Sequence, residues 1–561
     1  MIKPKNFLFL IIVVLGYSFF SNYLINRYYI MYGVNDDEFF SLLINGQITG
    51  HKEWFTNIGE SSPKIIFGIL SYLFQTLNSS FNIYLYTLLS VIIISCSILT
   101  TMVLNFRKNN TKNNLMIFTV LNSLLIIFYF TIRPTYTFAA FISGFIGFIC
   151  LAFGIEFKEK LYIYLSSLLM LMSYSIRRES FLISFAIFVP YIFFKLVFKK
   201  NYLKNIKITF IKSLLIFSIG LFINFFGSEL IINDKNWRSY NEFNQIRYTI
   251  QDNKLELKLS EKPENFNMNF DTYQLFDKYL FIDNKIFNSK NMNYTLLQLK
   301  KEDNISVTSI PATLKTIYTS YYKFYPILIF YIISFIILFL EIKSKKFFFI
   351  NVYTLIVTSF LIIFISTNLR LPERVILSTT ISFSSGIYLG SIVSIQKGKR
   401  NFIEKLSIGI IFLILTYGLL GNTIRSEIKF INNPAYSSFW EIQKDVMKSF
   451  GKEAIFVGNF SSFRSNWSNP FLSNYDNELK ILRYGWYTFS PYWEKSIQKY
   501  GLEGVNLEDF VYSNNIYFVG DEGSVYSVNN ILKQKNKKSY YLNLSKLDFD
   551  GSQYYIYKFY R

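Results

Sequence analysis

What most constrains this chain is the recurrence of apolar stretches long enough to cross ~30 Å of hydrocarbon at ~1.5 Å per residue. They lie near residues 7 to 26, 83 to 105, 115 to 131, 136 to 155, 161 to 176, 181 to 198, 208 to 226, 324 to 342, 347 to 366, 375 to 395 and 406 to 421, about eleven spans in all. In lipid every backbone N–H and C=O must be satisfied within the spanning segment or a closed barrel, and runs of this length satisfy them as helices. The 561 residues are 51% hydrophobic and only 17% charged, against ~25% charged for soluble domains, which argues against a purely soluble fold. The first run, from Phe7 to Leu24, follows Lys3 and Lys5 like a signal peptide; with no small-residue cleavage site after it, it reads as a retained first helix.

Lysine and arginine orient the spans. Lys3/Lys5, Arg107/Lys108/Lys112, Lys158/Lys160, Lys199/Lys200/Lys204/Lys207, Lys343/Lys345/Lys346 and Lys397/Lys399/Arg400/Lys405 all fall on one side, which the positive-inside rule makes the cytoplasm. The same rule accounts for the net charge of +21 without a nucleic-acid partner. The expected fold is mostly α and polytopic, with the N-terminus inside and the C-terminus outside. A transmembrane domain over 1–421 carries outer loops 27–82 and 227–322, and 422–561 forms a small extracytoplasmic α/β domain. In that tail, helix-like segments (Ser438 to Phe450, Tyr492 to Tyr500, Val528 to Lys533) alternate with β-prone runs (Ala454 to Val457, Ile516 to Val519, Tyr554 to Phe559). Both cysteines, Cys96 and Cys150, sit in apolar runs, so no disulfide or zinc framework is available outside. There is no P-loop, no dinucleotide fingerprint and no repeat.

Two features carry chemistry. Asp36, Asp37 and Glu38 stand a few residues past the outer end of the first span, followed by Phe39, Leu42 and Leu43. Crowded, partly desolvated carboxylates suit one of them to take a proton from a hydroxyl; the plainer reading is a charge cluster opening an interfacial helix near Phe39. The second feature is arginine in short outer loops, against the rule that orients the chain: Arg177 and Arg178, then Arg370 and Arg374. A guanidinium fork binds phosphate oxygens bidentately at this depth, while pairing of Arg178 with Glu179 and of Arg374 with Glu373 would make them simple anchors. Tyr240, Asn244 and Arg247 fall at helical spacing and could present a polar face to a sugar or phosphate, with a solvated face as the plainer account. The lone His51 is a poor basis for a metal site.

A first outer loop with an Asp-Asp-Glu run, Gly46 about eight residues on and Pro63 before an apolar helix resembles the membrane-embedded GT-C glycosyltransferases. The segment Arg370-Leu371-Pro372-Glu373-Arg374 resembles their arginine motif near the lipid phosphate, and a C-terminal outer domain is common among them. The resemblance covers most of the chain. It implies a sugar donor on a polyprenyl phosphate, a surface-glycan or lipid acceptor, a multi-pass protein of the bacterial cytoplasmic membrane among membrane lipids, and a catalytic acid among Asp36, Asp37 and Glu38. No cofactor is assigned, and a divalent cation stays open. Three other readings are a surface-polysaccharide polymerase, a lipid-linked glycan transporter or flippase, and a non-catalytic sensor or scaffold using the tail as a binding module; the transporter expects ionisable or helix-breaking residues near mid-membrane, where these spans show few.

Overall fold

In the computed structural model the described residues are 4–27, 30, 35–54, 63–77, 82–105, 113–186, 188, 207–251, 268–302, 353, 356, 357, 360, 434–463, 471, 479–503, 507–535, 538–549 and 552–561. Helices α1 (Pro4–Arg27), α2 (Asn35–Ile44), α3 (Ile65–Leu77), α4 (Ile83–Asn105), α5 (Asn113–Ile132), α6 (Tyr136–Phe157), α7 (Lys160–Ile176) and α8 (Lys207–Ile232) follow the apolar runs of the first half. Among the described residues, four stretches, Leu8–Arg27, Ile83–Leu104, Tyr136–Phe157 and Lys207–Ile231, are long and apolar enough to cross a membrane; Ile65–Phe74, Thr119–Ile132 and Lys160–Ile176 are shorter apolar helices. The expected spans near 324 to 342, 375 to 395 and 406 to 421 lie outside the described residues, as does nearly all of the one near 347 to 366.

Burial separates the helices. Tyr136 to Glu156 are all buried, whereas only 22% of the residues in the most apolar part of Leu8–Arg27 and of Lys207–Ile231 are, as for helices that present apolar side chains to lipid. Helices α6 and α7 pack closely because small residues face the contact: a Cβ on Gly147 would lie 3.0 Å from Met170 Cγ and 3.1 Å from its backbone nitrogen. This packing sets the first turn of α6 beside the last turn of α7, the place where the site forms.

Helices α9 (Lys235–Gln251), α10 (Phe270–Asp277) and α11 (Ser289–Glu302) follow. The C-terminal part carries α12 (Pro434–Lys448), α13 (Pro491–Lys499), α14 (Leu507–Tyr512) and α15 (Glu522–Lys535) around strands β1 (Ile455–Asn459), β2 (Lys480–Tyr484), β3 (Ile516–Gly520), β4 (Tyr540–Phe549) and β5 (Ser552–Tyr560). The sheet order is β2-β1-β3-β5-β4; β2, β1 and β3 run parallel, and β5 is antiparallel to both β3 and β4. The alternation along β1 is the period of a strand covered on both faces. Phe456 joins Trp440 and Met447 of α12, while Ile455 and Val457 join the main core with Val525 and Val528 of α15.

The sheet domain is fastened to the segment that follows α10 and to the loop after α2. Lys278 Nζ lies 2.6 Å from Asp521 Oδ1, Asn459 Nδ2 donates to the Lys278 carbonyl at 3.0 Å, and Lys535 pairs with the nearly covered Asp283. Helix α13 grips the turn that follows α2: Lys495 Nζ is 2.6 Å from Glu53 Oε1 and Lys499 Nζ donates to the Gln47 carbonyl at 2.6 Å. Gly46 shapes that turn at φ +77, where a Cβ would stand 3.0 Å from the His51 backbone.

Candidate functional site

Helix α2 is the centre of the site and differs from the interfacial helix expected near Phe39. It starts at Asn35, so the three acids occupy its first turn, where the helix dipole favours negative charge. It is buried from Asp37 onward: Asp37 is 0% exposed, Glu38 1%, and Phe39 to Ile44 at most 2%. The reason is that its aromatic pair has partners on both sides. Phe39 meets Phe460 (6.1 Å between ring centroids), Trp486 (4.9 Å) and Tyr487 (4.6 Å) of the sheet domain. Phe40 meets Tyr84 (6.2 Å) and Tyr136 (5.7 Å) of the membrane helices, and Trp486 at 6.1 Å.

Asp37 is held by two helix beginnings. Its Oδ1 accepts from the Tyr84 hydroxyl at 2.9 Å and from the Tyr136 backbone N–H at 2.8 Å. Tyr136 is the first residue of α6, and its N–H is one of the donors that a helix leaves without an internal partner. Thr135 caps the same end, its hydroxyl accepting from Phe138 N–H at 3.2 Å. Two capping groups, one local and one from another segment, thus fix the start of α6.

Arg177 approaches the same residue from the end of α7. Its NH1 donates to the Tyr136 hydroxyl at 3.3 Å and to Thr137 Oγ1, and its guanidinium lies 5.2 Å from the centroid of the Tyr136 ring. Burial works against its charge, but the Tyr136 oxygen and then the carboxylates of Glu179, Asp36 and Asp37 outweigh it and raise its pKa above the ordinary arginine value. Glu179 sits between the two guanidinia, 3.5 Å from Arg177 Nε and 3.8 Å from Arg178 Nε. The anchor reading therefore holds for part of this charge: one acid is shared by two arginines. Arg177 is 13% exposed and Arg178 38%.

The structure thus brings Asp36, Asp37, Glu38, Arg177 and Arg178 to one end of the helical bundle. Arg370 and Arg374 lie outside the described residues. Tyr240, Asn244 and Arg247 form no solvated face: Tyr240 is 1% exposed and Arg247 5%, because the sheet domain, α11 and the segment around Tyr279 cover α9. The Tyr240 hydroxyl donates to the Trp486 carbonyl at 3.0 Å, and burial raises its phenol pKa. Arg247 is tied to Asn244 (2.9 Å) and Gln251 (2.7 Å) and lies over the Tyr279 ring. His51 is exposed. Among the described residues, no three His, Cys, Asp or Glu side chains converge to hold a metal ion.

Tyr84, Tyr136, Trp486 and Lys64 belong to the site and were not singled out from the sequence. Lys64 is 8% exposed, and its backbone N–H donates to the Ser175 carbonyl at 2.6 Å, which brings it to the end of α7 beside Arg177. A lysine directly after Pro63 at the mouth of an apolar helix was the available signal. The three aromatics had none, in a chain with 43 tyrosines and 61 phenylalanines.

No protein-family model matches the chain, and no curated protein matches it. Among solved structures it is similar to that of ArnT from Cupriavidus metallidurans in the apo state, over 98% of this chain and 97% of that one, at 9% identity and a TM-score of 0.43. It is similar to the same protein bound to undecaprenyl phosphate over 99% and 98% of the two chains, again at 9% identity and 0.43. A likeness of this grade transfers no residue and no chemistry.

Proposed function

We propose that this site transfers a sugar from a polyprenyl-phosphate donor to a hydroxyl of a glycan or lipid acceptor at the outer membrane face. The observation that carries the reading is the meeting of the acid-bearing first turn of α2 with the guanidinium of Arg177 across Tyr136. Sugar transfer from a phosphate needs both at close quarters: an acid that accepts the proton of the attacking hydroxyl, and a cation where negative charge gathers on the departing phosphate.

The residues divide the work by their surroundings. Asp37 is fully covered, and its Oδ1 is occupied by the donors that fix α4 and α6; it is a positioning residue. Asp36, in the same turn, is partly exposed and is the carboxylate that an acceptor hydroxyl can reach. In the reaction the acceptor oxygen forms a bond to the anomeric carbon, its proton passes to Asp36, and the bond between that carbon and the phosphate oxygen breaks. The electron pair leaves on the lipid phosphate, whose added charge is met by Arg177, with Arg178 beside it.

The test is sugar transfer by the purified full-length protein from a panel of polyprenyl-phosphate-linked hexoses. Asp36→Asn is expected to lower turnover roughly 100-fold or more, the scale of losing a positioned general base, while leaving membrane insertion unchanged. Wild-type turnover in this variant removes Asp36 from the chemistry. A carrier that moves the intact lipid-linked glycan would show no new glycosidic product with any member of the panel.

A further inference from the structure

We infer that Trp486, on the sheet domain, is the stacking platform for a sugar ring in this site; the inference rests on the proposed sugar transfer and names a substrate contact within it. Trp486 touches Phe39 and Phe40. On a helix, residues three and four apart share a face, so these are the two positions that share a face with Asp36. Helical side chains also lean toward the N-terminus, over the preceding turn. The indole therefore stands on the Asp36 side of α2, and Phe40 in turn touches Tyr136, whose hydroxyl binds Arg177. Acid, indole, tyrosine and arginine line one continuous wall.

The local structure presents this ring rather than hiding it. Tyr484, Gly485, Tyr487 and Thr488 are buried, yet Trp486 between them is partly exposed. Its backbone is fixed from several directions: its carbonyl accepts from Tyr240 at 3.0 Å, Gly485 N–H donates to Thr488 Oγ1 at 3.0 Å, and the Thr488 and Ser490 amides close the turn onto Gly485 and Tyr487 at 3.0 Å each. The indole N–H has no hydrogen-bond partner among the described residues. A tryptophan that only filled the seam would need neither exposure nor a spare donor. A rigid indole with one open face and a donor at its edge suits a pyranose, whose C–H face stacks on the ring while a hydroxyl takes the N–H.

The test uses full-length protein in detergent, with undecaprenyl phosphate bare or linked to glucose, mannose or N-acetylglucosamine. All six tryptophans lie outside the apolar runs, so their emission reports the outer part of the protein. At least one sugar-linked lipid is expected to shift the emission of the wild type and to leave that of Trp486→Phe unchanged. The same lipid should bind the variant roughly 2- to 10-fold more weakly, the range of aromatic stacking, while the bare phosphate lipid binds both proteins equally, which shows that the variant is folded. Equal affinity of the two proteins for every sugar-linked lipid, or an identical emission shift in both, overturns the platform; so does a wild type that responds to none. Asp36→Asn run alongside separates the two ideas. Loss of transfer in that variant with an unaffected Trp486→Phe refutes the platform alone, whereas full transfer by Asp36→Asn with a sugar-dependent loss in Trp486→Phe refutes the assigned base and keeps the platform.

Discussion

The role given to Asp37 predicts a specific energetic coupling. Asp37→Leu keeps roughly the side-chain volume but strands two donors in a covered place, the Tyr84 hydroxyl and the Tyr136 N–H. Each stranded donor costs about 1–3 kcal/mol, so the variant should lose roughly 2–6 kcal/mol of stability. Tyr84→Phe alone removes one hydrogen bond to a charged acceptor and should cost about 1.5–3 kcal/mol. In the double variant the tyrosine hydroxyl is gone, so one of the stranded donors no longer exists, and the combined loss should fall short of the sum by about 1–3 kcal/mol. The assay is unfolding in mixed micelles against denaturing detergent, followed by tryptophan emission for the wild type, both single variants and the double. Additivity within about 0.5 kcal/mol would refute the claim that Asp37 joins α2 to α4. Asp37→Asn is the control: it keeps an oxygen for both donors and loses mainly charge, so it should be milder than Asp37→Leu.

Two further outcomes follow from the same geometry. Arg177→Ala should lower kcat/KM for the lipid-linked donor about 10- to 100-fold, the scale of charge-assisted hydrogen bonds. Arg177→Lys should recover part of that loss by restoring charge without the fork, and wild-type kinetics in both would make Arg177 an anchor. In the sheet domain, burial lowers the Lys558 ammonium to about 8, while it donates to the Ser513 and Ile516 carbonyls and lies over Tyr517. The unfolded chain then holds the extra proton above that value, so stability should rise from about pH 8 toward pH 10, before the tyrosines of the unfolded chain ionise. Unfolding midpoints across this window check it, and a Lys558→Met variant that kept the rise would exclude Lys558 as its source.

What was legible in the sequence followed from patterns along the chain. Runs of lipid-compatible residues give α1, α4, α6 and α8 within a few positions of their expected ends, because a span must be apolar throughout its length. In the tail, β1, β3 and β5 and helices α12, α13 and α15 appear where alternation or helical spacing placed them. Strands β2 and β4 were not read. Lys480–Tyr484 carries Lys480 and Arg483 among its five residues, and β4 carries a register shift between Asn543 and Ser545 that breaks its alternation. Within the site, the acids and the Arg177–Arg178 pair stood out because charge at that depth needs a reason. Their relation did not, since the group joining Asp37 to Arg177 is a backbone N–H and a tyrosine hydroxyl 99 residues from the acid. Nor could spacing show that the inward face of α9 would be covered, because the cover arrives from a domain far along the chain.

The grip of α13 on the turn after α2 also sets an order in time. Lys495 and Glu53 are 442 residues apart, and a ribosome adding roughly 5–20 residues per second makes the second of them about 20–90 s after the first. For most of that interval, once Tyr84 and Tyr136 have been made, α2 has its neighbours in the helical bundle within reach while Phe39 still lacks Phe460, Trp486 and Tyr487. Synthesis of the chain thereby acts as a timer: the acid-bearing turn reaches its final packing only after the C-terminal sheet domain has been made and has folded, so chains cut short before that point carry an unfinished site.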